Sequence, residues 1–233
     1  VSIMLPFWAK DGGPERTMAA LSDPYDRNRM KRELNSRSDI QEIWNERWLH
    51  NFREPHNSKY DGKSIWDIAE MREQEPADAL FDLLLEERLG ISEVGTGTNA
   101  DTLPEFVSHP FGMIASDAIL FGEYPNPRTY GCFPVVLSKF VRTEKHLKLP
   151  EAIRKMTSFP AQRIGLMDRG QLADGFRADI VIFNPDTVHT DATKQDPKHY
   201  PVGIDYVIVN GEVVIEKGKN TGATPGKALR RGH

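Results

Sequence analysis

Two residues whose types and placement suit proton transfer and anion binding stand out in this sequence: Asp117 and Arg128. Asp117 directly follows Phe111-Gly112-Met113-Ile114-Ala115-Ser116, a short and nearly continuous apolar run. Such a run predicts a strand buried on both faces, in a parallel sheet or barrel. A carboxylate at the C-terminal end of that strand would sit at the mouth of an α/β barrel, where catalytic groups collect. Arg128 lies in the Gly- and Pro-rich stretch from Phe121 to Gly131, which reads as an ordered loop rather than a helix. Pro134 then predicts a helix start, with the helix running through Val141. A strand-end acid with a loop-borne arginine suits proton transfer beside recognition of an anionic substrate. The same residues also fit a plainer arrangement, an Asp capping a turn and an Arg paired with a surface acid.

Other chemistry is thin. Of the seven histidines (His50, His56, His109, His146, His189, His199 and His233), no two have the spacing of His-x-His or His-x-x-x-His, so there is no local metal motif. There is no nucleophile elbow, no phosphate-cradling loop with lysine and no dinucleotide fingerprint. Gly95-Thr96-Gly97-Thr98 precedes polar residues rather than a helix and reads as a loop. Cys132, the single cysteine, has no base beside it and reads as a small packed residue. Trp44 and Trp48 stand four apart with Arg47 and Arg53 nearby. That spacing admits a cation cage or stacking platform, or two aromatics on one helical face packed against a neighbour.

The elements that must carry these residues fall into three regions. Residues 1–100 are charged and helical, with predicted starts at Asp23-Pro24, at Ser64-Ile65-Trp66-Asp67 and at Pro76. The last of these helices carries Ala79, Leu80, Leu83, Leu84 and Leu85 as a core stripe and is predicted to stop at Gly90. Residues 101–165 hold the apolar run, the loop and two helices. Residues 166–233 read as a small β-domain with a polar tail: Asp179–Phe183 is a strand, and Asn210-Gly211 joins two β-branched runs as a hairpin. The 233 residues carry 34 acidic and 30 basic side chains, a net charge of −4, which excludes a strongly basic nucleic-acid binder as first choice. No apolar run reaches the roughly 18 residues of a membrane span. One cysteine permits no internal disulfide and fits a reducing, cytoplasmic setting.

Ser116-Asp117-Ala118 followed by Asn126-Pro127-Arg128-Thr129-Tyr130-Gly131-Cys132-Phe133-Pro134 resembles the segment around the last barrel strand of the D-aminoacylase (N-acyl-D-amino-acid deacylase) family, in the amidohydrolase superfamily. Many members have Ser-Asp-Gly and His-Pro-Arg where this chain has Ala118 and Asn126. Glu151 to Ala161 is similar to the family's closing helix. Asp168-Arg169-Gly170, Gly175, Ala178-Asp179 and Val209-Asn210-Gly211 are similar to its C-terminal β-segment. Pro6-Phe7-Trp8-Ala9, Gly12-Gly13 and Gly62-Lys63-Ser64 resemble its helical insertion.

The resemblance implies an α/β fold: the C-terminal part of a (β/α)8 metallo-dependent hydrolase barrel with a helical insertion and a small β-sandwich domain. It implies cleavage of a linear amide, an N-acyl-D-amino acid or related N-acyl compound, with Asp117 catalytic and Arg128 gripping the substrate carboxylate. It also implies one or two zinc ions, with Asp117 a candidate ligand. The family's early His-x-His, its bridging Cys or carboxylate and its two later histidines have no counterpart here. The expected partner, besides a carboxylate-bearing amide, is therefore the N-terminal half of the same enzyme or a companion subunit. Nucleic acid and membrane are not expected partners. Two other readings stand beside this one: a hydrolase of cyclic amides such as hydantoins or dihydropyrimidines, and a non-catalytic binding protein built on a hydrolase-like half.

Overall fold

The computed structural model describes residues 4–95, 101–120, 122 and 124–229, which divide into two compact units of mixed helices and sheets. The first takes in Val1–Thr98 and Leu120–Asn126, the second Asn99–Ile119 and Pro127–His233.

In the first unit, α1 (Phe7–Lys10), α2 (Gly13–Ser22), α3 (Pro24–Asn35) and α4 (Ile40–Glu46) precede strand β1 (Arg47–His50). A 3₁₀ turn over Pro55–Tyr60, strand β2 (Lys63–Ser64), α5 (Ile65–Arg72), α6 (Pro76–Glu86) and β3 (Ser92–Gly95) follow. The strands form an antiparallel sheet in the order β2-β1-β3. Local chemistry explains the helix starts. The Asp23 side chain accepts from the Asp26 amide at 2.9 Å, with Pro24 at the first helical position of α3. Ser64 and Asp67 exchange bonds across the first turn of α5, 3.0 Å from the Asp67 amide to Ser64 Oγ and 3.1 Å from the Ser64 amide to Asp67 Oδ2. Ser64→Ala is expected to destabilise this unit by about 1 kcal/mol, read as a lower denaturant midpoint at unchanged slope.

Core packing follows the stripe of α6. Ala79, Leu80, Leu83 and Leu84 are buried, joined by Phe81, and Leu85 packs from the edge. Two expectations change. The reversal after α6 is made by Arg88 and Leu89, at φ 49° and 63°, rather than by Gly90. The Leu89 amide closes it by donating to Leu84 O at 2.8 Å. Packing of Leu89 against the core and burial of Glu87, which accepts from the Arg53 amide at 2.6 Å, offset the left-handed backbone. Trp44 and Trp48 do not share a helical face: α4 stops at Glu46, leaving Trp44 buried in the core and Trp48 on β1, paired between Ser64 and Val94. Of the Gly95-to-Thr98 loop, Gly95 ends β3 and Thr96–Thr98 lie outside the described residues.

The second unit contains α7 (Leu103–Ser108), α8 (Arg128–Val135), a π-helical continuation over Val136–Thr143, α9 (Leu149–Met156) and α10 (Ser158–Ile164). Val107, Val136, Phe140, Leu147 and Ala152 form its buried helical core. Strands β4 (Ile180–Phe183), β5 (Ile204–Val209), β6 (Glu212–Glu216) and β7 (Lys219–Asn220) make one antiparallel sheet in sequence order. Asn210 and Gly211, at φ 49° and 86°, form the two-residue turn between β5 and β6, as the Asn-Gly pair predicts.

The motif residues around that turn form one polar cluster. Arg169 donates to Asp179 and, at 2.7 Å, to Asn210 Oδ1; Asp179 accepts from the Asn210 amide at 2.8 Å. The Asn210 side-chain amide donates to Pro225 O at 2.8 Å, so the tail is tied back to the hairpin. Arg230–His233 lie outside the described residues.

Two further expectations are corrected here. Phe111–Ser116 forms no strand among the described residues. A strand is defined by the neighbours its backbone bonds to, and this segment is held by α8 and α9 instead. The helix expected to begin at Pro134 starts at Arg128, so the end of the expected loop is helical. The Tyr130 and Gly131 amides find Pro127 O at 3.1 and 2.9 Å, which nucleates the turn one step after a proline already in helical conformation. Pro134 then lies inside the helix, where it cannot donate to Tyr130 O, and the chain widens into π geometry just beyond it.

Candidate active site

The acid-bearing segment runs from His109 to Ile119 and is gripped from two sides. Near its start, the C-terminal turn of α9 takes hold. Lys155 Nζ donates to His109 O and, at 2.9 Å, to Gly112 O; Lys155 O accepts from the Ile114 amide at 3.1 Å; Arg154 Nη2 donates to Pro110 O at 3.2 Å. Near its end, α8 does the same. Cys132 Sγ lies 3.5 Å from Ala115 O, and Thr129 Oγ1 donates to Ile119 O at 3.3 Å.

Between these grips the two predicted residues meet. Arg128 Nη2 donates to Asp117 Oδ2 at 2.6 Å, and its Nε donates to Asp117 O at 3.1 Å. Asp117 sits at φ 47°, a left-handed conformation uncommon for a residue with a side chain, which orients the carboxylate toward the start of α8. Of the plainer alternatives, the turn at Ala118 is capped by Ser116 Oγ at 3.3 Å rather than by Asp117, whereas an arginine paired with a surface acid is what Arg128 and Asp117 themselves form. The Asp117 and Arg128 side chains are 81% and 43% exposed, so the pair contributes little to stability.

Beside them lies a cavity of about 440 Å³. Its walls are apolar, from Phe106, Met113, Ile114, Val136 and Phe140, and among the described residues Arg128 is the one charged residue lining it. Asp117 is not among the lining residues; it stands next to the cavity through Arg128 and Ala115. Cys132 faces the same space. Burial pushes its thiol pKa up, with Arg128 only partly opposing, so it is a poor nucleophile. Among the described residues no group of three or more His, Cys, Asp or Glu is placed to hold a metal ion. Asp117 is one oxygen donor without companions, so the described residues do not by themselves form a metal centre.

Sequence reading missed two groups. Lys155 is fully buried beneath the acid-bearing segment, and only its position near the end of an amphipathic helix hinted at that. His50 in the first unit is fully buried on β1, with neither ring nitrogen bonded to a group among the described residues, and stacks on Tyr124 at 5.2 Å between ring centroids.

Against protein families, residues 54–215 match the model described as "Amidohydrolase family". The chain belongs to the amidohydrolase family. Two relatives from Alcaligenes xylosoxydans xylosoxydans place this amidohydrolase chain further. An N-acyl-D-glutamate deacylase is 42% identical over 123 residues, covering 53% of this chain and 25% of that protein. A D-aminoacylase is 35% identical over 170 residues, covering 73% of this chain and 32% of that protein. Among solved structures, N-acyl-D-glutamate deacylase from Bordetella bronchiseptica, complexed with zinc and a phosphonate inhibitor that mimics the tetrahedral intermediate, superimposes with a TM-score of 0.66. It is 29% identical and covers 75% of this chain and 36% of its own. The amidohydrolase chain thus spans between a quarter and two fifths of the length of these relatives. No helix among the described residues is long and apolar enough to cross a membrane.

Proposed function

We propose that this chain is the C-terminal part of a metal-dependent amidohydrolase that cleaves a linear amide: an N-acyl-D-amino acid or a related N-acyl compound bearing a carboxylate. In this reading residues 1–100 are the helical insertion of a (β/α)8 barrel. Residues 101–165 supply its last strand position, active-site loop and closing helices, and residues 166–233 the small β-domain. The rest of the barrel, with most ligands for one or two zinc ions, is the N-terminal half of the enzyme or a companion subunit. Phe111 and Met113, apolar yet exposed on the acid-bearing segment, are what such a complement would cover. The single cysteine suits a cytoplasmic setting.

The observation that carries this reading is the contact between Asp117 and Arg128 at the edge of an apolar cavity. Hydrolysis of an amide needs a base to take a proton from the attacking water and an acid to return it to the leaving nitrogen. One carboxylate can do both in turn, and Asp117 is accessible enough to do so. A guanidinium binds a carboxylate as a fork where an ammonium offers a point charge. Arg128 directs that fork to Asp117, donating to its carboxylate and its main-chain oxygen. An incoming carboxylate takes over the guanidinium and releases Asp117 for proton transfer, so substrate binding and activation of the base are one event. Bound zinc would acidify the attacking water; no ligand set for it lies within the described residues.

The test is made on the complete, zinc-loaded enzyme. It is expected to hydrolyse N-acyl-D-amino acids, and Arg128→Lys is expected to lower kcat/KM for carboxylate-bearing substrates roughly tenfold to a hundredfold more than for their neutral amide analogues. Equal losses on both would return Arg128 to a structural role. Absence of any N-acyl amino acid hydrolysis by the complete enzyme would sink the reading itself.

A further inference from the structure

Lys155 is the most unusual buried group in the second unit. Its side chain is wholly inaccessible, and among the described residues no carboxylate is bonded to its ammonium; its acceptors are the main-chain oxygens of His109 and Gly112. A buried ammonium without a bonded counter-ion is costly. Burial also lowers the Lys155 pKa, with Glu151 acting against the shift and Arg154 adding to it. Apolar residues of similar length would fill the same space without that cost, so the donor capacity of the nitrogen is what the position uses.

Its two acceptors are the ends of a tight turn. His109 O also accepts from the Gly112 amide at 2.9 Å, and a Cβ at Gly112 would stand 2.8 Å from Phe106 O and 3.4 Å from Lys155 Nζ. The turn is thus closed too tightly against Phe106 O to accept a side chain at Gly112. Residues 113–115, which line the cavity, leave directly from this turn, and Asp117 comes next but one. Because Phe111–Ser116 has no ladder partner among the described residues, the sheet does not set its register. The grip of α9 at one end and of α8 at the other does.

We propose that Lys155 is a positioning residue for the active site: its ammonium, fastened to the carbonyls of His109 and Gly112, sets the path by which the segment reaches Asp117 and Arg128. The role of the segment in hydrolysis rests on the reading above; the hold of Lys155 on the segment does not.

The experiment uses the complete enzyme, with Lys155→Met, Lys155→Gln and Lys155→Arg compared with wild type by amide hydrogen exchange and steady-state kinetics. Met keeps the bulk and removes the donors. It is expected to speed exchange at residues 109–119 while exchange elsewhere in the second unit stays unchanged. Displacement of the acid by even an ångström justifies an expected loss in kcat of roughly tenfold to a hundredfold, with KM moving less than about threefold. Arg, which again offers donors to both carbonyls, is expected to recover most of both. Should the Met variant fail to fold, Gln decides: it keeps a donor but is too short to span both acceptors, and is expected to show the same local pattern. Unchanged exchange over 109–119, or an increase spread evenly over the unit, overturns the inference. Asp117→Asn, measured alongside, separates the two claims. If that change removes turnover while Lys155→Met leaves kcat intact, the Lys155 inference fails. If Asp117→Asn leaves turnover intact, the reading of the site fails, and the exchange data alone judge what Lys155 holds.

Discussion

Replacing Asp117 by Asn in the complete enzyme is expected to lower kcat by roughly 10²- to 10⁴-fold, with bound metal at the wild-type level. The carboxamide matches the carboxylate in size and can still accept a bond from Arg128, so the contact seen at 2.6 Å has a near-isosteric replacement and the local fold should persist. What it lacks is a basic oxygen that takes up and returns a proton near neutral pH. Metal analysis on the same preparation divides the two roles considered for this residue. Lost turnover with retained metal marks the proton carrier; metal lost in parallel marks a ligand. Turnover within about threefold of wild type would mean the acid does neither.

The second large effect concerns the first unit and acid pH. His50 is fully buried, and burial pushes its pKa down from 6.5 to about 4. It therefore stays neutral in the folded chain between about pH 4 and 6.5, where the unfolded chain takes up a proton. Stability contributed by keeping this ring neutral is intact above pH 6.5, declines as the pH falls below it, and is fully lost once the pH passes about 4. At about 1.4 kcal/mol per pH unit, the window is worth about 3 kcal/mol. All four tryptophans (Trp8, Trp44, Trp48 and Trp66) lie in this unit, so fluorescence-detected urea unfolding of the intact chain reports on it selectively. Between pH 6.5 and 4 the midpoint is expected to fall for the wild type and to stay nearly level for His50→Phe, which keeps a flat ring against Tyr124. Equal slopes in the two proteins would assign the acid sensitivity to other groups.

The helix starts at Asp23-Pro24, Ser64 and Pro76 were legible because they depend on a few adjacent residues, whereas the one expected at Pro134 was not, since α8 already begins at Arg128. Asp23-Pro24 and Ser64 with Asp67 satisfy orphan amides within one turn, whatever the rest of the chain does. The Asn210-Gly211 hairpin was legible for the same reason, since both positions must take positive φ. Helix ends were less so. Gly90 is the residue best suited to the reversal after α6, yet tertiary packing of Leu89 and anchoring of Glu87 moved it to Arg88 and Leu89. The Trp44 and Trp48 spacing misled because a helix-to-strand change falls between them.

For the site, residue type and order alone singled out Asp117 and Arg128, because an acid after an apolar run and an arginine in a proline-rich stretch are local facts. Their contact is not local. It depends on α8 beginning at Arg128 and on the left-handed backbone at Asp117, both selected by packing across the second unit. Nor is burial written in a residue's name: Lys155 and His50 look like ordinary surface residues in a string of letters, and only the surrounding chain removes water from them. Sequence thus determined which groups are present and which short turns they nucleate, because those depend on neighbours a few bonds away. Tertiary structure decided which groups meet and which lose their water, because these depend on segments far apart in the chain.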